Sequence, residues 1–257
     1  MSMDPRIAAR RREVIEGSAR RSLLRLGKWL AVLLALVAVG WFIQSDPFRV
    51  SVIEMSGITR SAAAELLVAE QVVEGRPMVL IRPGTVEEAL IDDPWIVEAT
   101  VGLTFPDMVE VAVRERAPAA WLVSGSARLL LAADGVIVPG EGVSDPLPVV
   151  RMGGVEPAEP GEQLEDSRAR ASLLFLTTLD PLLASRGVLG ERSAGELWFS
   201  LPGLDVRLGR PIEMAEKAAA LTALLERGVP PGSEVNLIAP TRPAVATPDT
   251  NPPASDS

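Results

Sequence analysis

The residue types that most often carry chemistry are missing from this chain of 257 residues, which has no His and no Cys. Their absence removes the usual zinc ligand sets, Cys nucleophiles, imidazole general bases and the Ser/His/Asp triad. Carboxylates adjoin at Glu87-Glu88 and Asp92-Asp93, but neighbouring positions on a helix do not face each other, so neither pair converges on one substrate. Gly140-Glu141-Gly142 is too short a run to cradle a phosphate and reads as a turn. No phosphate loop, dinucleotide fingerprint, calcium loop or S-x-x-K motif occurs. The expectation is a protein that is not an enzyme, with no metal, cofactor or small-molecule substrate. What remains is charge, apolar surface and backbone edges, which are the means of a binding protein.

Charge is unevenly placed. The net value is −9, yet residues 1–28 hold eight basic side chains, including Arg25 and Lys28, against Asp4, Glu13 and Glu16, a local balance of +5 that leaves −14 for the rest. Aromatic residues do not interleave with these arginines, and the arm runs straight into an apolar block, so nucleic-acid binding is not expected. The block, residues 29–45, has 17 consecutive uncharged positions, roughly 25 Å of helix and nearly the thickness of a bilayer core. Arg25 and Lys28 can snorkel to headgroups, and Trp29 and Trp41 stand near the two ends, where amphipathic rings favour the interface. These four residues form the expected membrane anchor, with the N-terminus cytoplasmic and the bulk of the chain exported by the positive-inside rule. Two other readings of the block compete. A buried helix is disfavoured by its one-sided basic flank, and a cleaved signal peptide, for which Ala38-Val39-Gly40 offers a small-x-small site, by its 28-residue leading region.

The exported part shows two patterns in succession. A strand at 48–55 ends at Gly57, and Ser61 caps a helix over 62–71. Thr85 and Glu88 form a capping box for a second helix that stops before Pro94, and two alternating runs at 96–103 and 108–114 turn through Phe105-Pro106-Asp107. The order β-α-α-β-β suits a small three-stranded sheet covered by two helices. Next come strands at 119–123, 128–131 and 136–138, the last pair joined by Asp134-Gly135. Pro and Gly punctuate residues 139–161. A helix over 167–183, broken at Asp180-Pro181, is followed by a hairpin of 196–201 with 204–208, a helix over 212–227 and a closing strand at 234–239. Residues 240–257 hold five prolines and no apolar periodicity, which reads as a disordered tail.

Several of these segments resemble the bacterial cell-division family FtsQ/DivIB. The marks are FRVSVIEMSG at 48–57, Asp93-Pro94-Trp95-Ile96, Ala99 to Val101, Phe105-Pro106, VEVAVRERAPAAW from Val109 to Trp121, Val206-x-Leu208-Gly209, Lys217, and Val235 to Pro240. The resemblance implies an α+β chain with a basic cytoplasmic arm (1–28), one transmembrane helix (29–45), a POTRA domain (48–116), a β-rich domain with two helices (117–239) and a Pro-rich tail (240–257). It further implies a non-enzymatic, single-pass scaffold of the divisome in the cell membrane, concentrated at the septum, that binds FtsB/DivIC-like and FtsL-like proteins and regulates septal wall synthesis. An anchored envelope hydrolase and a POTRA-type translocation chaperone are the alternatives. On the scaffold reading, the last strand is a free sheet edge, and Glu234, Val235, Asn236, Leu237, Ile238 and Ala239 are the expected partner-binding residues, offering backbone groups for β-augmentation.

Overall fold

The computed structural model describes residues 26–42, 46–192 and 195–247. The chain divides into two compact units, one drawn from residues 1–55, 67–86 and 100–111 and the other from 56–66, 87–99 and 112–257. Residues 26–42 form helix α1, with Lys28 and Trp29 in its first turn and Trp41 near its end. Its apolar side chains are exposed on every face, from Leu26 and Leu30 to Leu34, Val37 and Phe42. Among the described residues no helix is long and apolar enough to cross a membrane. Arg25 and residues 43–45, at the two ends of the expected span, lie outside the described residues.

A three-stranded sheet has the order β1-β3-β2, built from β1 (Val52–Ser56), β2 (Ile96–Thr104) and β3 (Met108–Glu115). Alternation on β3 buries Val109, Val111 and Val113, as a two-residue period dictates. The helices α2 (Ala63–Ala69) and α3 (Pro83–Ile91) complete the β-α-α-β-β order. The expected start of the first strand moves. Asp46–Phe48 is a 3-10 turn, because Pro47 cannot donate to a ladder, and Arg49 instead makes a single bridge to Pro77. α3 opens at Pro83 rather than at Thr85, since proline suits the first helical position, where its missing N–H costs nothing.

The start of α2 corrects a local reading with a long-range one. The Ser61 hydroxyl caps none of the first-turn amides of α2. The backbone amides of Thr59, Arg60 and Ser61 donate to the Glu115 carboxylate at 2.7–3.0 Å, and Ala62 N donates to Asp93. Burial pushes the Glu115 carboxyl up, but the amides of Ser61, Thr59 and Arg60 outweigh it and hold the group below the ordinary carboxylate value. A carboxyl depressed in the folded state contributes stability above its unfolded pKa, and that contribution is lost as pH falls through the folded value. Protection of the amides of 59–61 against hydrogen exchange, measured relative to their intrinsic rates, should therefore fall as pH drops below the ordinary carboxylate range. In Glu115→Gln that protection should already be low at neutral pH, with no such acid dependence.

The second sheet has nine strands in the order β12-β11-β10-β9-β8-β7-β4-β5-β6. The expected strands are there as β4 (Pro118–Ser124), β5 (Ala127–Ala132), β6 (Ile137–Val138), β9 (Glu196–Leu201), β10 (Leu204–Gly209) and β11 (Ser233–Asn236). Three more, β7 (Val149–Arg151), β8 (Val188–Arg192) and β12 (Ala244–Ala246), enter the sheet from stretches that sequence alone left irregular. β7 is short and parallel to both of its neighbours, β4 and β8, so no hairpin turn announces it, whereas β8 is also antiparallel to β9, with Arg192 opposite Glu196.

Helices α4 (Ser167–Thr178) and α6 (Met214–Arg227) pack together, with α5 (Pro181–Ala184) following α4 after an Asp180 cap. Leu173, Leu176, Ala218 and Leu221 share a core with Leu122, Val150, Leu189, Phe199, Val206 and Val235. Phe175 and Phe199 meet edge to face at 5.2 Å. Lys217, 1% exposed, lies within this layer. Its ammonium donates to Leu208 O and Arg210 O at 2.7 and 2.9 Å, tying α6 to the end of β10. Burial pulls its pKa down, against Glu213, and satisfied donors make the buried cation tolerable.

Candidate partner interface at the sheet edge

The open edge expected on the strand from Glu234 to Ala239 lies one strand further out. β11 covers only Ser233–Asn236 and is bonded on both sides. It runs parallel to β10, with Val206 opposite Val235, and antiparallel to β12, with Glu234 opposite Ala246, Val235 opposite Val245 and Asn236 opposite Ala244. Val235 and Leu237 are fully buried, while Glu234, Ile238 and Ala239 are exposed and Asn236 is half-buried. The residues after β11 reverse the chain instead of extending the strand. Ile238 N donates to the Asn236 side chain and Arg242 N to Ala239 O, and Pro240 and Pro243 suit the turn. Three residues of the Pro-rich segment thereby become the sheet's last strand.

Parity within this edge follows from one bond. Leu237 N donates to Arg207 O on β10 at 2.8 Å, so the odd positions of β11 face β10 and the even ones, Glu234 and Asn236, face β12. Glu234 with Ala246 and Asn236 with Ala244 are then the hydrogen-bonded pairs, and the N–H and C=O of Val245 point away from the sheet. All three β12 residues are exposed, Val245 at 39%. Pro243, directly before Ala244, limits the strand at its start, a common protection for an edge that must not pair indiscriminately.

The other end of the sheet is closed. Ile137 on β6 donates its amide to Glu162 O and accepts from Gly161 N, and Val136 bridges Gln163. Of the two terminal strands, β12 is the one that has no strand or loop bonded to its outer side among the described residues.

The sheet face opposite the helices carries a polar ladder beside this edge. Arg192 stacks 4.0 Å from the Trp198 ring centre. Arg207 binds Glu196 with two nitrogens at 2.8–3.0 Å. Asp205 accepts from the Ser200 hydroxyl at 2.6 Å and from Arg192 at 3.2 Å, and its pKa is lowered first by the Ser200 hydrogen bond and then, against burial, by Arg192. Cross-strand register sets the pairs, with Arg207 opposite Trp198 and Asp205 opposite Ser200. These ion pairs are half-exposed, so they stiffen the face more than they stabilise the fold. Among the described residues no group of three or more Asp, Glu, His or Cys is placed to hold a metal ion.

The strand expected from Glu234 to Ala239 is thus present as Ser233–Asn236, but it is not the terminal strand, because β12 lies outside it. Ala244, Val245 and Ala246 carried one usable signal, a small β-tolerant run between two prolines. It was outweighed by the proline content around it.

Comparison with known proteins agrees with the architecture. Residues 48–116 match the family model described as POTRA domain, FtsQ-type. The chain is 35% identical over 241 residues to the cell division protein FtsQ of Anaeromyxobacter sp. (strain K), covering 84% of this chain and 78% of the relative. It is 31% identical over 220 residues to FtsQ of Rhodothermus marinus, covering 81% and 80%. A solved structure, the major extracytoplasmic domain of the bacterial cell division protein DivIB from Geobacillus stearothermophilus, is similar at 16% identity and a TM-score of 0.30, covering 45% of this chain and 98% of that one. That superposition carries no argument; the two sequence relatives do, because each exceeds 30% identity over most of both chains. The chain belongs to the FtsQ family of cell division proteins.

Proposed function

We propose that this protein is a membrane-anchored, non-enzymatic scaffold of the division machinery, and that β12 is where an FtsB/DivIC-like partner adds a strand. One observation carries the reading: the outward N–H and C=O of Val245 on an exposed terminal strand, next to a β11 that is bonded on both sides. Main-chain bonds from such an edge give affinity, and the side chains of alternating positions give specificity. The Trp198 and Arg192 ladder on the adjoining face offers that partner a stacked aromatic and two guanidinium groups. An FtsL-like protein belongs to the same assembly on this reading.

Two features support the membrane part. The helix of residues 26–42 exposes its apolar side chains on all sides, which water penalises and lipid does not. The sequence adds three uncharged residues, 43–45, after it and a +5 arm before it, which orients the N-terminus toward the cytoplasm and exports the rest. A fluorescent fusion of the full chain should gather at the division site of its host, and depletion should leave cells elongated with unfinished septa. Even distribution along the membrane with normal division after depletion would refute the scaffold reading.

A further inference from the structure

We infer that the POTRA-type unit touches the bilayer directly through three apolar tips, Val79, Leu80 and Phe105, which seat in the interfacial layer of the leaflet from which the anchor emerges. The inference rests on the membrane-anchor reading above and adds a second contact with the same lipid.

The tips are exposed without being loose. Val79 and Leu80 are 54% and 56% exposed on a 3-10 turn, Met78–Leu80, whose first residue is fully buried. Arg76 holds that turn from behind, donating to Gln71 O at 2.9 Å and to Leu80 O at 3.4 Å. Phe105, at the turn between β2 and β3, is 62% exposed. Ordered apolar side chains held out from a framework mark a contact surface when they share a boundary.

The boundary comes from the chain leaving the anchor. Arg49 is seven residues beyond Phe42, which limits their separation to about 25 Å even when fully extended. The Phe42 and Phe48 rings meet edge to face at 5.3 Å, so the real path is shorter. This emerging segment is bonded to both sets of tips. On one side Arg49 bridges Pro77, Val50 N donates to Arg76 O, Gly75 N donates to Val50 O, and the Arg49 guanidinium donates to Gly75 O. On the other side Ser51 N and Val52 N donate to Asp107 O, and the Ser51 hydroxyl bonds the Asp107 carboxylate. The turn carrying Val79 and Leu80 and the turn carrying Phe105 are thus fastened to the first residues past the helix. A bilayer surrounding α1 is the one partner whose surface this chain is bound to meet at that point. Exposed Arg82, beside Leu80 on a groove of about 360 Å³, is placed for a lipid phosphate.

The chain has no Cys, so single-cysteine variants of the full protein can be labelled with an environment-sensitive fluorophore in lipid nanodiscs. The variants are Val79→Cys, Leu80→Cys, Phe105→Cys, Val37→Cys within α1 and the exposed polar position Glu141→Cys. Blue-shifted emission and quenching by lipids carrying a shallow nitroxide are expected at 79, 80 and 105, and water-like emission at 141. Quenching at Val37 with water-like emission at all three tips overturns this inference and leaves the anchor standing. Water-like emission at Val37 overturns the anchor and the inference together. Because Val79, Leu80 and Phe105 are all exposed, none of these substitutions removes core packing.

Discussion

Gly57→Ala should destabilise the protein by about 2–5 kcal/mol, from a left-handed backbone cost of about 1–2 kcal/mol and a steric cost of about 1–3 kcal/mol. Gly57 follows β1 with φ of +78°, and a Cβ built there would lie 1.8 Å from the Val113 carbonyl oxygen. That oxygen belongs to β3, the central strand of the three-stranded sheet, so it cannot swing aside as a side-chain tip can. Gly75 separates the two costs, since its φ is +82° but nothing lies within 4 Å of a Cβ there. Gly75→Ala should cost only about 1–2 kcal/mol. Denaturant unfolding of both variants checks the pair, and equal losses would show that the Val113 contact contributes nothing.

Gly57 also shows what sequence conveyed and what it did not. A glycine after a β-branched run marks the strand's end, and the strand does end there. Nothing local says that a carbonyl 56 positions away requires the missing side chain. The same division recurs at α2. Ser61 before an Ala/Leu/Glu-rich run is a sound local cap signal, yet Glu115 takes the amides, because a carboxylate brought in by the fold accepts several N–H bonds at once.

In the larger sheet the hairpin of β9 and β10 was legible, since alternation and Pro202-Gly203 act over a few residues. The strand β7 was not, because both of its partners are parallel and are reached through a crossover rather than a turn; β8 has an antiparallel partner in β9, but its short run Val188–Arg192 with a glycine in the middle gives little alternation to read. β12 is the omission on which the proposed interface turns. Its three small residues pair with β11 only because Asn236, Ala239 and the adjoining Pro240 fold the chain back, and composition around them argues for a tail. Family membership was readable from scattered short motifs. The edge strand was not, since it depends on which backbone groups the fold leaves unpaired.

Proline substitution at β12 tests the augmentation claim most directly. Val245 directs its N–H away from β11, so Val245→Pro removes no ladder bond of the fold and removes the donor at the centre of the free edge. Ala244→Pro and Ala246→Pro remove donors that face β11 and should loosen β12 itself. With the full chain in nanodiscs, binding of the FtsB/DivIC-like partner's exported segment can be titrated while circular dichroism monitors folding. The account predicts that Val245→Pro keeps its wild-type melting transition and loses about tenfold or more in affinity, the worth of a main-chain bond and the fit around it at about 1–3 kcal/mol. Val245→Ala, which keeps the donor, should bind within a few-fold of wild type. A folded Val245→Pro protein that binds the partner at wild-type strength would contradict strand addition at this edge.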